Sequence, residues 1–226
     1  MDHLVMNFED TQEDFTCTNF ASFCRNQMTD DVCVRISEET LEQSSKAQWY
    51  YLRFGRITAS KAFEASRCDT EDGSLVATLM GSRKFKGNSA KRRGQTLELE
   101  IFGLLRSKYP TIEKCGVVLK KDHPHFGASP DGLNSEFVFE IKCPTKQKTI
   151  TNYVEDGILK DKVYFQIQLQ MLMCERKRGI LVVADPDFEK NKKITEFVVN
   201  FDRENVCEVK KKCEKFWEDK IFPLLK

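Results

Sequence analysis

Two short runs constrain this chain more than any other: Ser129-Pro130-Asp131-Gly132 and, with eight residues between the aspartate and the glutamate, Glu140-Ile141-Lys142 following Phe137-Val138-Phe139. Aromatic and β-branched residues alternating with others predict a strand over 136–143. Successive strand side chains point to opposite faces, so Phe137, Phe139 and Ile141 share one face while Glu140 and Lys142 share the other. Gly132, Asn134 and Ser135 supply turn residues in the gap. A hairpin-like return of that length sets Asp131 beside Glu140, giving a pocket of two carboxylates and one ammonium. Taken singly, Glu-x-Lys reads as a solvated strand face and Pro-Asp-Gly as an ordinary turn. Their joint spacing favours a site.

Hard divalent cations bind oxygen, and Mg²⁺ commonly takes one or two carboxylates, completing its shell with water and substrate phosphate. Asp131, Glu140 and the main-chain carbonyl of Ile141 meet that description. A cation held there lowers the pKa of a bound water and neutralises charge growing on a phosphodiester. Lys142 is the group to position or deprotonate that water, or to stabilise the developing negative charge.

Further blocks follow in order: Trp49-x-x-x-Arg53-x-Gly55-x-Ile57-Thr58-Ala59-Ser60, Gly94-x-x-x-Glu98, the Pro-Asp and Glu-x-Lys blocks above with Cys143-Pro144, and Gln166-x-Gln168-x-Gln170. Over about residues 46–200 the chain resembles the YqaJ-type viral recombinase nucleases, the group that includes phage lambda exonuclease, within the PD-(D/E)xK nuclease superfamily. Five ordered blocks are far more specific than the bare catalytic pattern. The resemblance implies an α/β restriction-endonuclease-like core, a mixed central β-sheet flanked by helices. It implies a Mg²⁺-dependent exonuclease, with Mn²⁺ able to substitute, that hydrolyses double-stranded DNA from a 5′ end in recombination or repair. Asp131 and Glu140 are then the metal-binding carboxylates, with the Ile141 carbonyl; Glu98 supports the metal or the water, and Lys142 and Gln168 are catalytic. Residues at the positions of Arg53, Ser60 and Ser129 hold the 5′-terminal phosphate. The family also implies a ring-shaped homotrimer and a single-strand annealing protein as partner. The alternatives are a structure-selective endonuclease and a DNA-binding module that has lost catalysis, against which the intact Asp131, Glu140 and Lys142 argue.

The same blocks have readings of their own. Arg53 and Ser60 lie near a helix start, where Thr58 or Ser60 serves as N-cap before residues 61–65. A helix N-terminus beside an arginine suits an anion, although Ser60 as a simple cap and Arg53 as an ion-pair partner compete with that role. Leu97, Ile101, Leu104, Leu105 and Tyr109 recur at helical spacing, predicting an amphipathic helix over 94–108. Glu98 borders its apolar stripe, where an unpaired carboxylate is costly; Glu100 is the competing candidate. Residues 162–173 alternate as a strand does, but Gln, Leu and Met favour a helix. A helix puts Gln166 and Gln170 on one face with Gln168 roughly opposite, whereas the family pattern favours Gln168 and Gln170.

At 226 residues, with 17 Phe to supply a core, the chain is most simply one domain (46–226) behind an acidic N-terminal extension (1–45). Its formal charge of +1 conceals an asymmetry: residues 1–45 hold ten acids against two bases, leaving 34 bases against 25 acids for the rest. The catalytic region is therefore basic, as a nucleic-acid binder should be. Basic density peaks over residues 83–93, a run expected to contact phosphate or simply to be solvated. Nine cysteines without a Cys-x-x-Cys pair argue against a zinc site or an iron–sulfur cluster, and His123 and His125 add little. That cysteine usage, with no signal peptide and no long apolar span, predicts an intracellular protein of a reducing compartment with no membrane association. The remaining elements expected are a strand or turn over 30–36, a helix over about 40–66, strands over 115–121, 125–129, 179–185 and 194–201, and helices over 161–175 and 203–220.

Overall fold

The computed structural model describes residues 1–11, 13–43, 47–70, 73–81 and 89–226, with residues 89–91 as backbone alone. In chain order the helices are α1 (Asp2–Glu9), α2 (Cys17–Gln27), α3 (Asp30–Glu39), α4 (Ala47–Arg53), α5 (Ala62–Ala65), α6 (Ser74–Leu79), α7 (Ser89–Lys108), α8 (Gln147–Ile150), α9 (Asp161–Cys174), α10 (Phe188–Asn191) and α11 (Arg203–Phe216). The strands are β1 (Ile57–Thr58), β2 (Phe126–Gly127), β3 (Gly132–Leu133), β4 (Phe137–Lys142), β5 (Val154–Glu155), β6 (Ile158–Leu159), β7 (Arg178–Ala184) and β8 (Ile194–Asn200). The chain divides into two units. One comprises Met1–Lys84, Cys115–Ser129 and Arg203–Lys226; the other comprises Phe85–Lys114 and Pro130–Asp202.

The second unit is built on a four-stranded sheet of order β3-β4-β7-β8. β3 runs antiparallel to β4, β4 parallel to β7 and β7 antiparallel to β8, so the sheet is mixed, as expected. The alternation of β4 is realised: Phe137, Phe139 and Ile141 pack with Ile180 and Val182 of β7 against Leu97, Ile101 and Leu105 of α7. Helix α9 packs against β4 and β7, and it comes close because residue 179 has no side chain. A Cβ on Gly179 would lie 2.5 Å from Ile167 and 3.1 Å from Val138. The residue types over 162–173 therefore prevail over their strand-like alternation, and α9 ends at Glu175 in the left-handed conformation. Arg93 is used structurally: it grips Glu189 at 2.6 Å and donates to the carbonyls of Pro144 and Pro186. Residues 83–88, the rest of the basic run's first half, lie outside the described residues.

In the first unit, residues 1–45 contribute α1, α2 and α3. Phe8, Phe15 and Phe20 of this segment cluster with Phe222, and Phe15 stacks on Phe222 with ring centroids 4.8 Å apart. α11 packs on α5, and the Trp217 indole N–H donates to Gly55 O at 2.7 Å.

Four expectations need correcting. Residues 30–36 form a helix, because Thr29 caps it through Val32 N–H at 3.4 Å and Asp30 and Asp31 occupy its first turn. The expected helix over 40–66 is broken into α4, β1, a 3₁₀ turn (Ala59–Lys61) and α5. Gly55 turns the chain with φ +64, and Ile57 then pairs with Phe126 in parallel register. The strand expected over 115–121 is reduced to one antiparallel bridge, Val118 with Ala128, and that over 125–129 to β2. The Val117 N–H is satisfied by Thr40 Oγ1 at 2.8 Å instead of by a strand neighbour. The last helix changes at Trp217 into a π-helical turn (Trp217–Ile221).

Candidate active site

The carboxylates gather in the second unit, at the edge where β3 leaves β4. Asp131 is fixed twice: its N–H donates to Phe139 O at 2.9 Å, and its Oδ2 accepts the Ile141 N–H at 2.6 Å. The short β3 is what leaves that strand N–H for a side chain. Glu140 is buried, with 5% of its surface exposed. Lys142 Nζ donates to its Oε1 at 2.6 Å, and Gln170 Nε2 donates to its Oε2 at 2.6 Å. Lys142 also reaches Gln166 Oε1 at 3.4 Å. Glu140 and Lys142 thus share a face of β4, as the alternation predicts.

Charge accumulates there. Loss of hydration, then repulsion from Glu140 and Glu98, pushes the Asp131 carboxyl well above the usual carboxylate range. Glu98 is raised for the same reasons, burial first and Glu140 next. Burial alone would lower the Lys142 ammonium, but attraction to Glu140 and the hydrogen bond it donates to that carboxylate, with Asp131 behind, raise it overall. Glu100, the competing candidate on α7, instead pairs with Lys192 at 2.5 Å.

Gln168 is not brought to these groups. Its amide accepts from Asp202 N–H at 2.9 Å and donates to Asn200 O at 2.8 Å, which ties down the end of β8. Gln166 and Gln170, one helical turn apart, face Lys142 and Glu140 instead. Helical periodicity carries that information, whereas the family pattern pointed partly elsewhere.

Asp131 and Glu140, with Lys142 bonded to the latter, offer the charge and the oxygen donors that a hard divalent cation takes. Among the described residues no three His, Cys, Asp or Glu side chains converge as a ligand cluster. The available set is therefore the carboxylate pair Asp131 and Glu140, which is what Mg²⁺ commonly uses. Gln170 Oε1, also buried, has no hydrogen-bond partner among the described residues and adds a further oxygen acceptor beside Glu140.

In the first unit, Arg53 stacks on Trp49, its guanidinium carbon 3.7 Å from the ring centroid. Its Nη2 donates to Thr58 Oγ1 at 3.3 Å, and Thr58 Oγ1 lies 3.3 Å from Ser60 Oγ. Thr58 therefore makes no side-chain cap, contrary to one expectation, and links Arg53 to Ser60. The parallel pairing of Thr58 with Gly127 carries Ser60 and Ser129, each two residues further on, towards the same end of that small sheet. His125 lies over Trp217 and 3.5 Å from Glu214. No metal-binding cluster involves it or His123 among the described residues.

A family model, the YqaJ-like viral recombinase domain, matches residues 48–177. Among solved structures, the alkaline exonuclease LHK-Exo from Laribacter hongkongensis is 23% identical, covering 79% of this chain and 96% of its own, with a TM-score of 0.66. The Shutoff and Exonuclease Protein from Kaposi's sarcoma-associated herpesvirus is 13% identical, covering 96% of this chain and 76% of its own, TM-score 0.59. A SOX–DNA complex is likewise 13% identical, with 96% and 75% covered and a TM-score of 0.57. At these identities the likeness is one of fold. No curated protein matches by sequence.

Proposed function

The chain belongs to the YqaJ-like viral recombinase family and carries a nuclease fold, and on that premise we propose that it is a Mg²⁺-dependent exonuclease that degrades double-stranded DNA from a 5′ end. The observation that carries this reading is Glu140, with Lys142 on one oxygen, Gln170 on the other, and Asp131 held beside it on Ile141 N–H. Asp131 and Glu140 would hold a divalent cation, which would lower the pKa of a bound water and neutralise charge on the scissile phosphate. Lys142, its ammonium fixed by Glu140, stabilises negative charge at the attacked phosphorus. Glu98, a carboxyl raised above its usual range, takes the proton of the attacking water as its oxygen bonds to phosphorus, and a proton passes to the leaving 3′ oxygen as the P–O3′ bond breaks. Gln166 and Gln170 orient Lys142 and Glu140.

Arg53, Ser60 and Ser129 receive the 5′-terminal phosphate, the guanidinium as a charge-assisted donor and the hydroxyls as neutral ones. Thr58 joins them by linking Arg53 to Ser60. Supporting this substrate are the fold neighbours, which include exonucleases and a complex with DNA. A ring of three copies and a single-strand annealing partner belong to the same proposal, on family grounds. No helix among the described residues is long and apolar enough to cross a membrane, and the nine cysteines are free.

The test is digestion of end-labelled linear duplex, with and without a 5′ phosphate, beside a closed circular duplex. Mg²⁺-dependent release of nucleotides from the phosphorylated 5′ end, lost in Asp131→Ala, is the expected result. Cleavage of the circle at a comparable rate identifies an endonuclease instead. Full activity of Asp131→Ala removes the assignment.

A further inference from the structure

Beyond β4 the active face of the sheet continues into a cavity. In-register pairing runs Glu140–Leu181–Phe197 and Lys142–Val183–Thr195 across β4, β7 and β8. Paired residues on neighbouring strands project to the same side. Phe197 and Thr195 therefore stand on the face of Glu140 and Lys142, two strand spacings away, roughly 10 Å. There Gln147, Ile150, Val183, Lys193, Thr195 and Phe197 line a cavity of about 630 Å³, a volume typical of small-ligand sites.

The lining has a definite chemistry. Phe197 is half-buried and Val183 and Ile150 are apolar, while Gln147 and Thr195 put polar groups at the edge. Lys192 also borders the cavity, but its ammonium is engaged by Glu100. Asp185 is engaged as well, accepting from Asn191 Nδ2 at 2.9 Å and Asp187 N–H at 2.8 Å. Lys193, exposed, brings the other ammonium of the lining.

We infer that this cavity is a subsite for one nucleotide of the DNA strand being cut, with the base against Phe197 and its phosphate towards Lys193. The inference rests on the nuclease reading above. An unstacked base offers apolar faces and a polar edge, matching an aromatic wall with a polar rim, and such stacking tolerates any sequence. A separation of roughly 10 Å spans about three nucleotides at the stacked rise of 3.4 Å, and fewer where the strand is unstacked and extended. The bound nucleotide therefore lies within about three positions of the scissile bond.

Photo-crosslinking tests this without turnover. Full-length Asp131→Asn protein is irradiated with duplexes carrying 5-iodo-2′-deoxyuridine at successive positions from the 5′ end of one strand. The expected adduct falls on the peptide containing Phe197, from one position within about three of the end. In the otherwise wild-type protein, Phe197→Leu should raise KM about tenfold with kcat within about twofold. Thr195→Trp, which fills the cavity from an exposed position and leaves the core intact, should do the same if the leucine variant folds poorly. Absence of an adduct on that peptide at every position, or an unchanged KM in Thr195→Trp, overturns the subsite. Wild-type protein that cleaves no nucleic acid overturns the nuclease reading itself, so the two failures are told apart.

Discussion

Replacing Lys142 by methionine keeps most of the stem and deletes the ammonium. Glu140 then loses a 2.6 Å ion pair where its side chain is 7% exposed, in the repulsive company of Asp131 and Glu98. Removing one partner of a buried pair costs about 3–5 kcal/mol. Lys142 itself is 21% exposed, so water screens part of the loss, and about 2–3 kcal/mol is expected. At roughly 2–4 °C per kcal/mol for a chain of this size, the metal-free variant should melt about 4–12 °C below wild type near neutral pH. The pH dependence has a definite sign. A carboxyl whose folded-state pKa is raised, as for Asp131 and Glu98, destabilises the fold once pH exceeds its unfolded value near ~4, and acidification relieves that cost. Lys142 attracts both carboxylates, so its loss raises them further and the deficit should shrink as pH falls towards ~5. Mg²⁺ should recover part of it at neutral pH, since only ionised carboxylates bind the cation. Thermal unfolding followed by circular dichroism, at both pH values and with and without Mg²⁺, reads all three effects. A melting point equal to wild type near neutral pH, or a deficit that grows on acidification, refutes the reasoning.

The two inner glutamines should separate cleanly. Gln170→Leu strips a donor from Glu140 Oε2 and should lower kcat about tenfold or more. Gln168→Leu leaves Asp202 N–H and Asn200 O without their partner, costing about 1–3 kcal/mol of stability with kcat within about twofold; the reverse pattern would return the catalytic role to Gln168. Arg53→Ala should reduce the preference for 5′-phosphorylated over unphosphorylated ends about tenfold, as expected for losing a charge-assisted contact; competition between the two ends measures it, and an unchanged preference discards the phosphate role. Gly179→Ala forces a Cβ against Ile167 and Val138 and should cost about 1–3 kcal/mol. Because α9 carries Gln166 and Gln170, cleavage should fall along with the melting temperature.

Strand β4 was legible because two sequence signals coincide there. Alternation over Phe137–Lys142 sorted apolar from charged faces, and the turn residues before it returned Asp131 to the same edge. The half-burial of Glu98 was legible from the stripe on α7. What escaped was tertiary in origin. No local signal tells that Thr40 takes the Val117 N–H, so residues 115–121 read as a full strand. The turn at Gly55 was hidden inside a run with good helical composition, although a glycine followed by Ile57-Thr58 was a usable hint of a break. Thr29 before two aspartates was a plain N-terminal signal for α3, outweighed by the β-branched Val32, Val34 and Ile36. At the glutamine block, face arithmetic separated Gln166 and Gln170 from Gln168, and motif matching obscured it.

The division of the chain has a consequence for damage to one part of it. The unit that holds the sheet and its carboxylates draws no residue from beyond Asp202, whereas the other unit includes Arg203–Lys226 and with it the indole whose N–H Gly55 O accepts. Replacing Trp217 should therefore be felt in the unit bearing Arg53, where it removes that donor, and not among the residues that compose the acidic centre.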